Sequence, residues 1–218
     1  NIGNNTIARI DLGNSISNNT ASGISLGLFN LNIPRGVKIA KDGSDYYAFI
    51  SNASNNDLTK IIFGNSLSNT PSGFTALTNP VFDVPWGFDI AFDCSAGGWI
   101  GFYASTNLSQ IHVIDFGTTL ANSGTITASI SCIANPSGIK LAHEGDFWYL
   151  LTNSFTGTQF QRIKFPGNLL STPTDLVTHS VPQGSSPRNI AFLNDSAGLH
   201  LFITNNQPST ISKLLFSG

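Results

Sequence analysis

The stretch that decides the fold is Pro34-Arg35-Gly36-Val37-Lys38-Ile39-Ala40, because its pattern returns three times at a constant interval. The later copies begin at Pro85, Pro136 and Pro187, each 51 residues after the previous one. They read Pro85-Trp86-Gly87-Phe88-Asp89-Ile90-Ala91, Pro136-Ser137-Gly138-Ile139-Lys140-Leu141-Ala142 and Pro187-Arg188-Asn189-Ile190-Ala191-Phe192. Repeats with a fixed period of about 50 residues are typical of β-propeller blades, in which each repeat forms one small sheet.

Each period predicts four short strands, named A to D. Strand A follows the proline and ends at an acidic residue beside a small one, as at Asp42 and Gly43, which is typical of a hairpin turn. Strand B, as in residues 46–51, is almost entirely apolar, which indicates burial on both faces. Strand C alternates, and strand D is short and polar, as expected at an exposed edge. Since no window has a sustained helical period, the sequence predicts an all-β propeller of four-stranded antiparallel blades.

The repeat divides the chain into parts of one propeller region. We expect strands C and D of a partial blade in residues 1–33, complete blades in 34–84, 85–135 and 136–186, and strands A to C of a partial blade in 187–218. Residues 205–218 repeat the register of residues 1–14, so these strands do not form a ring of whole blades. With no Met in the chain, we expect a part of a larger propeller; closure by a second chain or a four-bladed ring with one displaced strand are the alternatives.

The composition limits the function classes. Of 218 residues, 40% are hydrophobic, which is enough for a core, but only 10% are charged against about 25% in an average domain. The surface must therefore be Asn, Ser and Thr, which favours a secreted or cell-surface protein. The net charge of −2 and the scattered basic residues argue against nucleic-acid binding. No stretch approaches the ~18 apolar residues that a membrane span requires.

Two phrases resemble a known family. They are residues 34–39 and Leu58-Thr59-Lys60-Ile61-Ile62-Phe63-Gly64-Asn65-Ser66-Leu67-Ser68-Asn69-Thr70-Pro71. They look like the exported bacterial β-propeller repeats of large surface proteins associated with gliding motility and outer-membrane secretion. The Pro-x-Gly phrase is also similar to NHL-like propellers. The resemblance covers the whole chain, although the last copy has Asn189 in place of Gly, and it implies export and a scaffold or adhesion role without catalytic residues.

The candidate ligand-binding residues follow the four prolines: Arg35, Trp86, Ser137 and Arg188. By analogy with other propellers, they should face the rim of the central channel, which is the usual binding site. The loops between strands B and C, at residues 52–56, 106–107, 153–157 and 205–209, reach the same rim. Two arginines and a tryptophan suit a carboxylate or a sugar, through bidentate hydrogen bonds and stacking. Alternatively, the arginines cap loop carbonyls and Trp86 plugs the channel mouth.

No catalytic residue, metal ligand or cofactor is predicted. The four histidines fall on different strands and are spread over three repeats, whereas a metal needs converging ligands. The acidic residues at the A–B turns are explained as turn caps. Cys94 and Cys132 should lie too far apart for a disulfide, so we expect two small buried thiols.

These observations favour a non-enzymatic binding or scaffold module of a secreted or cell-surface protein, with a role in adhesion or protein binding. The expected partner is a protein or a surface glycan, with no nucleic acid and no membrane span; the remaining blades of a longer chain or a second chain are further candidates. Two alternatives remain open. One is an NHL-like propeller enzyme of the lactonase or lyase type, and the other is a lectin with a single sugar site.

Overall fold

The computed structural model describes residues 3–17, 19–181, 185–196, 198–207 and 209–216, and these form seventeen strands and no helix. The predicted blades also include residues 1, 2, 18, 182–184, 197, 208, 217 and 218, which lie outside the described residues. The first sheet contains β1 (Ile7–Asp11) and β2 (Ser22–Gly27), and the last contains β15 (Ser185–Asp195), β16 (Gly198–Gln207) and β17 (Thr210–Phe216).

Three four-stranded sheets lie between them. Their strands are β3 (Pro34–Asp42), β4 (Asp45–Asn52), β5 (Asp57–Gly64) and β6 (Gly73–Thr78); β7 (Pro85–Asp93), β8 (Gly98–Ser105), β9 (Gln110–Gly117) and β10 (Thr125–Ser131); and β11 (Pro136–Glu144), β12 (Phe147–Ser154), β13 (Gln159–Pro166) and β14 (Asp175–Ser180). Every strand pairs antiparallel with the next one in its sheet. The first strands β3, β7, β11 and β15 lie side by side in that order around the axis. The predicted all-β propeller is therefore confirmed.

The Pro-x-Gly phrase begins the inner strand of each complete sheet. Proline is tolerated as the first residue of a strand, where no ladder hydrogen bond is lost. The glycine is required by close approach: a Cβ on Gly87 would overlap the carbonyl oxygen of Ser137 on β11, and one on Gly36 would lie 3.0 Å from the carbonyl oxygen of Trp86. Asn189 takes the equivalent place on β15 and is exposed, since no described strand follows β15 around the axis.

The core lies between consecutive sheets. Phe49 of β4 contacts Phe88 and Phe116 of the following sheet, with ring centroids 5.2 and 5.4 Å apart. Phe102 of that sheet packs in turn on Phe165 of the next, at 5.4 Å. Stability therefore comes from the contact of each sheet with its neighbours, as in other repeat proteins.

Hydrogen bonds from one sheet to an aspartate of another, which we call latches, also join consecutive sheets at the end opposite the prolines. The Asp42 carboxylate accepts hydrogen bonds from the Thr119 hydroxyl (2.7 Å) and the Leu120 amide (2.8 Å), both in the loop after β9. Asp93 accepts one from the amide of Leu169 (2.6 Å), one sheet further along. The turn acids were predicted as local caps; Asp93 does cap its own turn through Ser95, but both residues also tie one sheet to the next.

The two end sheets expose apolar side chains at positions that are buried elsewhere. Ile10 of β1 is 66% exposed, whereas Ile61, at the same position in the next repeat, is 0% exposed. Ile211 of β17 is 68% exposed, and its equivalent Leu58 only 1%. Among the described residues no further sheet packs on these two end faces, which have the apolar character of a contact between blades.

Both cysteines are free thiols, which confirms the prediction that they form no disulfide. The prediction that both are buried was wrong: Cys94 is exposed in the turn before β8, and Cys132 is half-buried. The turn of Cys94 is longer than the others, so the side chain does not reach the core. Burial raises the pKa of the Cys132 thiol to about 12.

We expect iodoacetamide near pH 8 to add one label to the native protein, at Cys94, and a second only after denaturation. The reason is that the thiolate is the reactive form and a raised pKa depletes it. Intact mass after timed labelling measures the stoichiometry. A Cys94→Ser variant that is still labelled while folded would contradict this expectation.

Candidate functional site

The backbone just before each proline is held in an uncommon conformation. Ile33, Val84, Asn135 and Ser186 all have positive φ, at 50°, 45°, 51° and 53°. For β-branched residues this is a strained, left-handed conformation that persists only where neighbouring groups enforce it. The Asn5 side chain accepts a hydrogen bond from the Ile33 amide (3.0 Å), and that of Asn56 accepts one from the Val84 amide (2.9 Å). A loop of the preceding sheet thus fixes the start of the inner strand.

Four side chains meet at this proline end of the inner strands, and we call them the rim cluster: Arg35, Trp86, Phe155 and Arg188. The rings of Trp86 and Phe155 are 4.5 Å apart. The Arg35 Cζ atom lies 4.3 Å from the Trp86 ring centroid. The Arg188 Cζ atom lies 3.8 Å from the Phe155 centroid and 5.0 Å from that of Trp86. Each residue comes from a different sheet, in order around the axis.

The two guanidiniums are held by the aromatic rings rather than by acids. Within the described residues, neither Arg35 nor Arg188 forms an ion pair or a side-chain hydrogen bond. Partial burial, and then the nearby charge of Arg35, lower the pKa of Arg188. Each guanidinium has five N–H donors in a planar fork. The rim cluster therefore places two positive charges side by side with their donors unused.

Three of the four residues predicted at the rim come together, and Ser137 does not join them at the surface. Ser137 is fully buried, and its hydroxyl donates to the carbonyl oxygen of Pro187 (3.1 Å) and accepts from Asn153 Nδ2 (2.7 Å). Its side chain fastens β11 to β15 because the two inner strands approach closely there. Ser137 is therefore not a member of the rim cluster.

Phe155 is the member of the rim cluster that the sequence did not single out. It lies in the loop after β12, one of the loops expected at this rim, and it is the only aromatic residue in residues 153–157. This single aromatic side chain in a polar loop was the signal by which the sequence could have identified Phe155 as a site residue. The predicted loop at 205–209 includes residue 208, which lies outside the described residues.

A buried ion pair lies further along the inner strands. Lys38 Nζ is 2.5 Å from the Asp89 carboxylate, which also accepts a hydrogen bond from the Leu141 amide (2.9 Å). Asp89 is 2% exposed. It therefore joins β3, β7 and β11 across two contacts between sheets, and its charge is balanced by Lys38.

The histidines serve separate local roles in the structure. His112 is fully buried, with Nδ1 2.8 Å from the Ser129 hydroxyl and Nε2 3.0 Å from that of Ser105, and burial lowers its pKa. His200 lies 2.8 Å from Asp195. Over the ranges that the structure describes, no group of three His, Cys, Asp or Glu side chains has the arrangement of a metal site. The same ranges contain no helix with the length and apolarity to cross a bilayer.

No protein-family model matches the sequence, and no curated protein resembles it in sequence. Solved structures resemble it in fold. An exo-β-1,3-galactanase from Clostridium thermocellum has a TM-score of 0.58 and 11% identity, over 85% of this chain and 46% of its own. The catalytic domain of a GH62 α-L-arabinofuranosidase from Coprinopsis cinerea has a TM-score of 0.58 and 10% identity, over 83% and 62%.

A functionally unknown protein from Desulfotomaculum acetoxidans is similar over 96% of this chain and 62% of its own, with a TM-score of 0.58 and 14% identity. This chain thus spans about half to three fifths of the length of these three structures. At such low identity the likeness shows the propeller fold alone. Membership of the NHL-like or gliding-motility repeats remains a prediction.

Proposed function

We propose that this propeller is a non-enzymatic carbohydrate-binding module, with the rim cluster as its single ligand site. The observation that carries the proposal is that four sheets contribute one side chain each to a cluster at the axis whose guanidinium donors have no protein partner among the described residues. A site assembled once from four repeats departs from the repeat pattern. Such a departure favours a ligand role over the packing role that repeated positions serve.

The choice of carbohydrate has two supports. Two structures similar in fold are, by their names, a galactanase and an arabinofuranosidase, which act on saccharides. Aromatic edges and arginine donors also suit the mixed apolar and hydroxyl surface of a sugar. The weakly charged surface, with 10% charged residues, supports a secreted or cell-surface location. An adhesion role through a surface glycan, and descent from the exported repeats, belong to the same proposal.

Binding is preferred to hydrolysis because of the side chains present. Glycosidases of the common kind use two carboxylates about 5–9.5 Å apart. The rim cluster consists of two arginines and two aromatic residues, and the buried Asp89 is already neutralised by Lys38. A propeller glycosidase is therefore the second candidate, which product analysis separates from a lectin.

The test is binding to galactan and arabinan oligosaccharides by calorimetry, with the wild type and Trp86→Ala. We expect the variant to bind at least about tenfold more weakly, because removal of the indole leaves both guanidiniums unsupported. Trp148→Ala is the matched control: Trp148 packs against the tilted ring of His143 at the opposite end of its sheet, so its removal should leave the affinity unchanged. Equal binding by Trp86→Ala, or no saccharide binding by the wild type, contradicts the proposal; release of sugar favours the hydrolase.

A further inference from the structure

We infer that the rim cluster selects acidic saccharides, with a sugar carboxylate held between the guanidiniums of Arg35 and Arg188. This inference rests on the proposed function and names the ligand class of the same site. It follows from which chemical groups of the cluster are already occupied by the protein and which are free.

The aromatic faces are occupied. Arg35 lies over the Trp86 ring at 4.3 Å and Arg188 over Phe155 at 3.8 Å, while the two rings lie against each other at 4.5 Å. A neutral sugar that stacks on a ring would have to displace a guanidinium. The rings therefore act mainly as supports that fix the guanidinium planes, as cation–π contacts do.

The guanidinium edges are free. Arginine presents a planar fork that matches a carboxylate with two parallel hydrogen bonds, and these charge-assisted bonds are shorter and stronger than neutral ones. The described part of the chain supplies no acid to either fork. The two like charges repel, and a carboxylate between them removes that repulsion. A neutral hydroxyl offers no comparable gain.

The site also has a structural consequence that a simple surface patch would lack. Arg35 belongs to β3 and Arg188 to β15, and two whole sheets lie between those strands in the order around the axis. A carboxylate that binds both arginines therefore links the first complete sheet to the last. Such a ligand binds the folded protein and not the unfolded chain, so its binding should raise the melting temperature.

The experiment compares tetragalacturonate with neutral galactotetraose, by calorimetry and by thermal melting, on the full chain. We expect the acidic saccharide to bind at least about tenfold more tightly and to raise the melting temperature, and its affinity to fall between about 0.05 and 0.3 M salt as charges are screened. Arg35→Gln and Arg188→Gln should each remove about tenfold of the acidic affinity and lower the neutral affinity less, so that the preference for the acidic saccharide shrinks, because only the carboxylate gains from the charge of the fork.

Lys41→Gln is the matched control, because Lys41 is an exposed cation on the same strand as Arg35 but at its other end, over the Tyr46 ring at 5.2 Å. It should change neither affinity. Arg35→Lys keeps the charge without the fork, and partial loss of acidic binding is expected even if Arg35→Gln folds poorly. Equal or tighter binding of the neutral saccharide overturns the inference and leaves the proposed function standing. Binding of inorganic phosphate without either saccharide overturns both.

Discussion

Gly87→Ala is expected to destabilise the protein by about 3 kcal/mol or more, the upper range for overpacking a close contact. The added Cβ would overlap the carbonyl oxygen of Ser137 and lie within 2.9 Å of the Ile139 amide nitrogen. Both groups belong to the backbone of β11, which cannot move aside as a flexible side chain would. The inner strands β7 and β11 would have to separate, together with the core between their sheets. Denaturant unfolding followed by tryptophan fluorescence measures the change.

Gly73→Ala is the matched control for this substitution. Gly73 begins β6, and an added Cβ there meets no atom within 4 Å and requires no positive φ. We expect no loss of stability, or a small gain because alanine restricts the unfolded chain. Similar losses in the two variants would show that the close approach of inner strands does not constrain the Pro-x-Gly phrase.

Asp89→Ala is expected to lower the free energy of unfolding by about 3 kcal/mol, because removing one member of a buried ion pair leaves its partners unsatisfied. The Lys38 ammonium would lose its counter-charge, and the Leu141 amide would lose its acceptor inside the protein. Lys38 keeps partial access to water, so the cost stays at the lower end for buried pairs. The melting midpoint and the free energy of unfolding in urea both report the effect.

Asp175→Ala tests whether burial is the cause. Asp175 pairs with Arg162 at 2.9 Å, but both side chains are more than a third exposed to water. Pairs of that kind contribute less than about 1 kcal/mol. If Asp175→Ala lowers the free energy of unfolding as much as Asp89→Ala does, then burial of the network across β3, β7 and β11 is not the cause of the loss.

The fold was predictable because its signal is local and repeated. The interval between Pro34, Pro85, Pro136 and Pro187 gave the architecture, and the apolar runs gave the middle strands. The latches were not predictable. Asp42 and its partner Leu120 are 78 residues apart, and their contact depends on how far one sheet is rotated against the next. The repeat spacing carries no information on that rotation.

The candidate site was predictable in its position but not in its membership. Arg35, Trp86 and Arg188 follow the prolines and so had to share one end of the inner strands. Ser137 follows a proline as well, but a small side chain stays within the contact between strands, and there it bonds to the Pro187 carbonyl. Phe155 reaches the cluster from a loop. Side-chain length and loop path decide membership, and the period of 51 residues fixes neither.

The exposed faces of the end sheets imply that the free energy of local opening differs from one sheet to the next. The sheet of β7–β10 packs on a neighbour at each side, whereas the sheets of β1–β2 and β15–β17 have a described neighbour at one side only. In a chain of nearest-neighbour contacts, opening therefore begins with fraying at the ends and proceeds inwards. Backbone amides of β8 and β9 should belong to the slowest hydrogen-exchanging group, and those of β1 and β17 to the fastest.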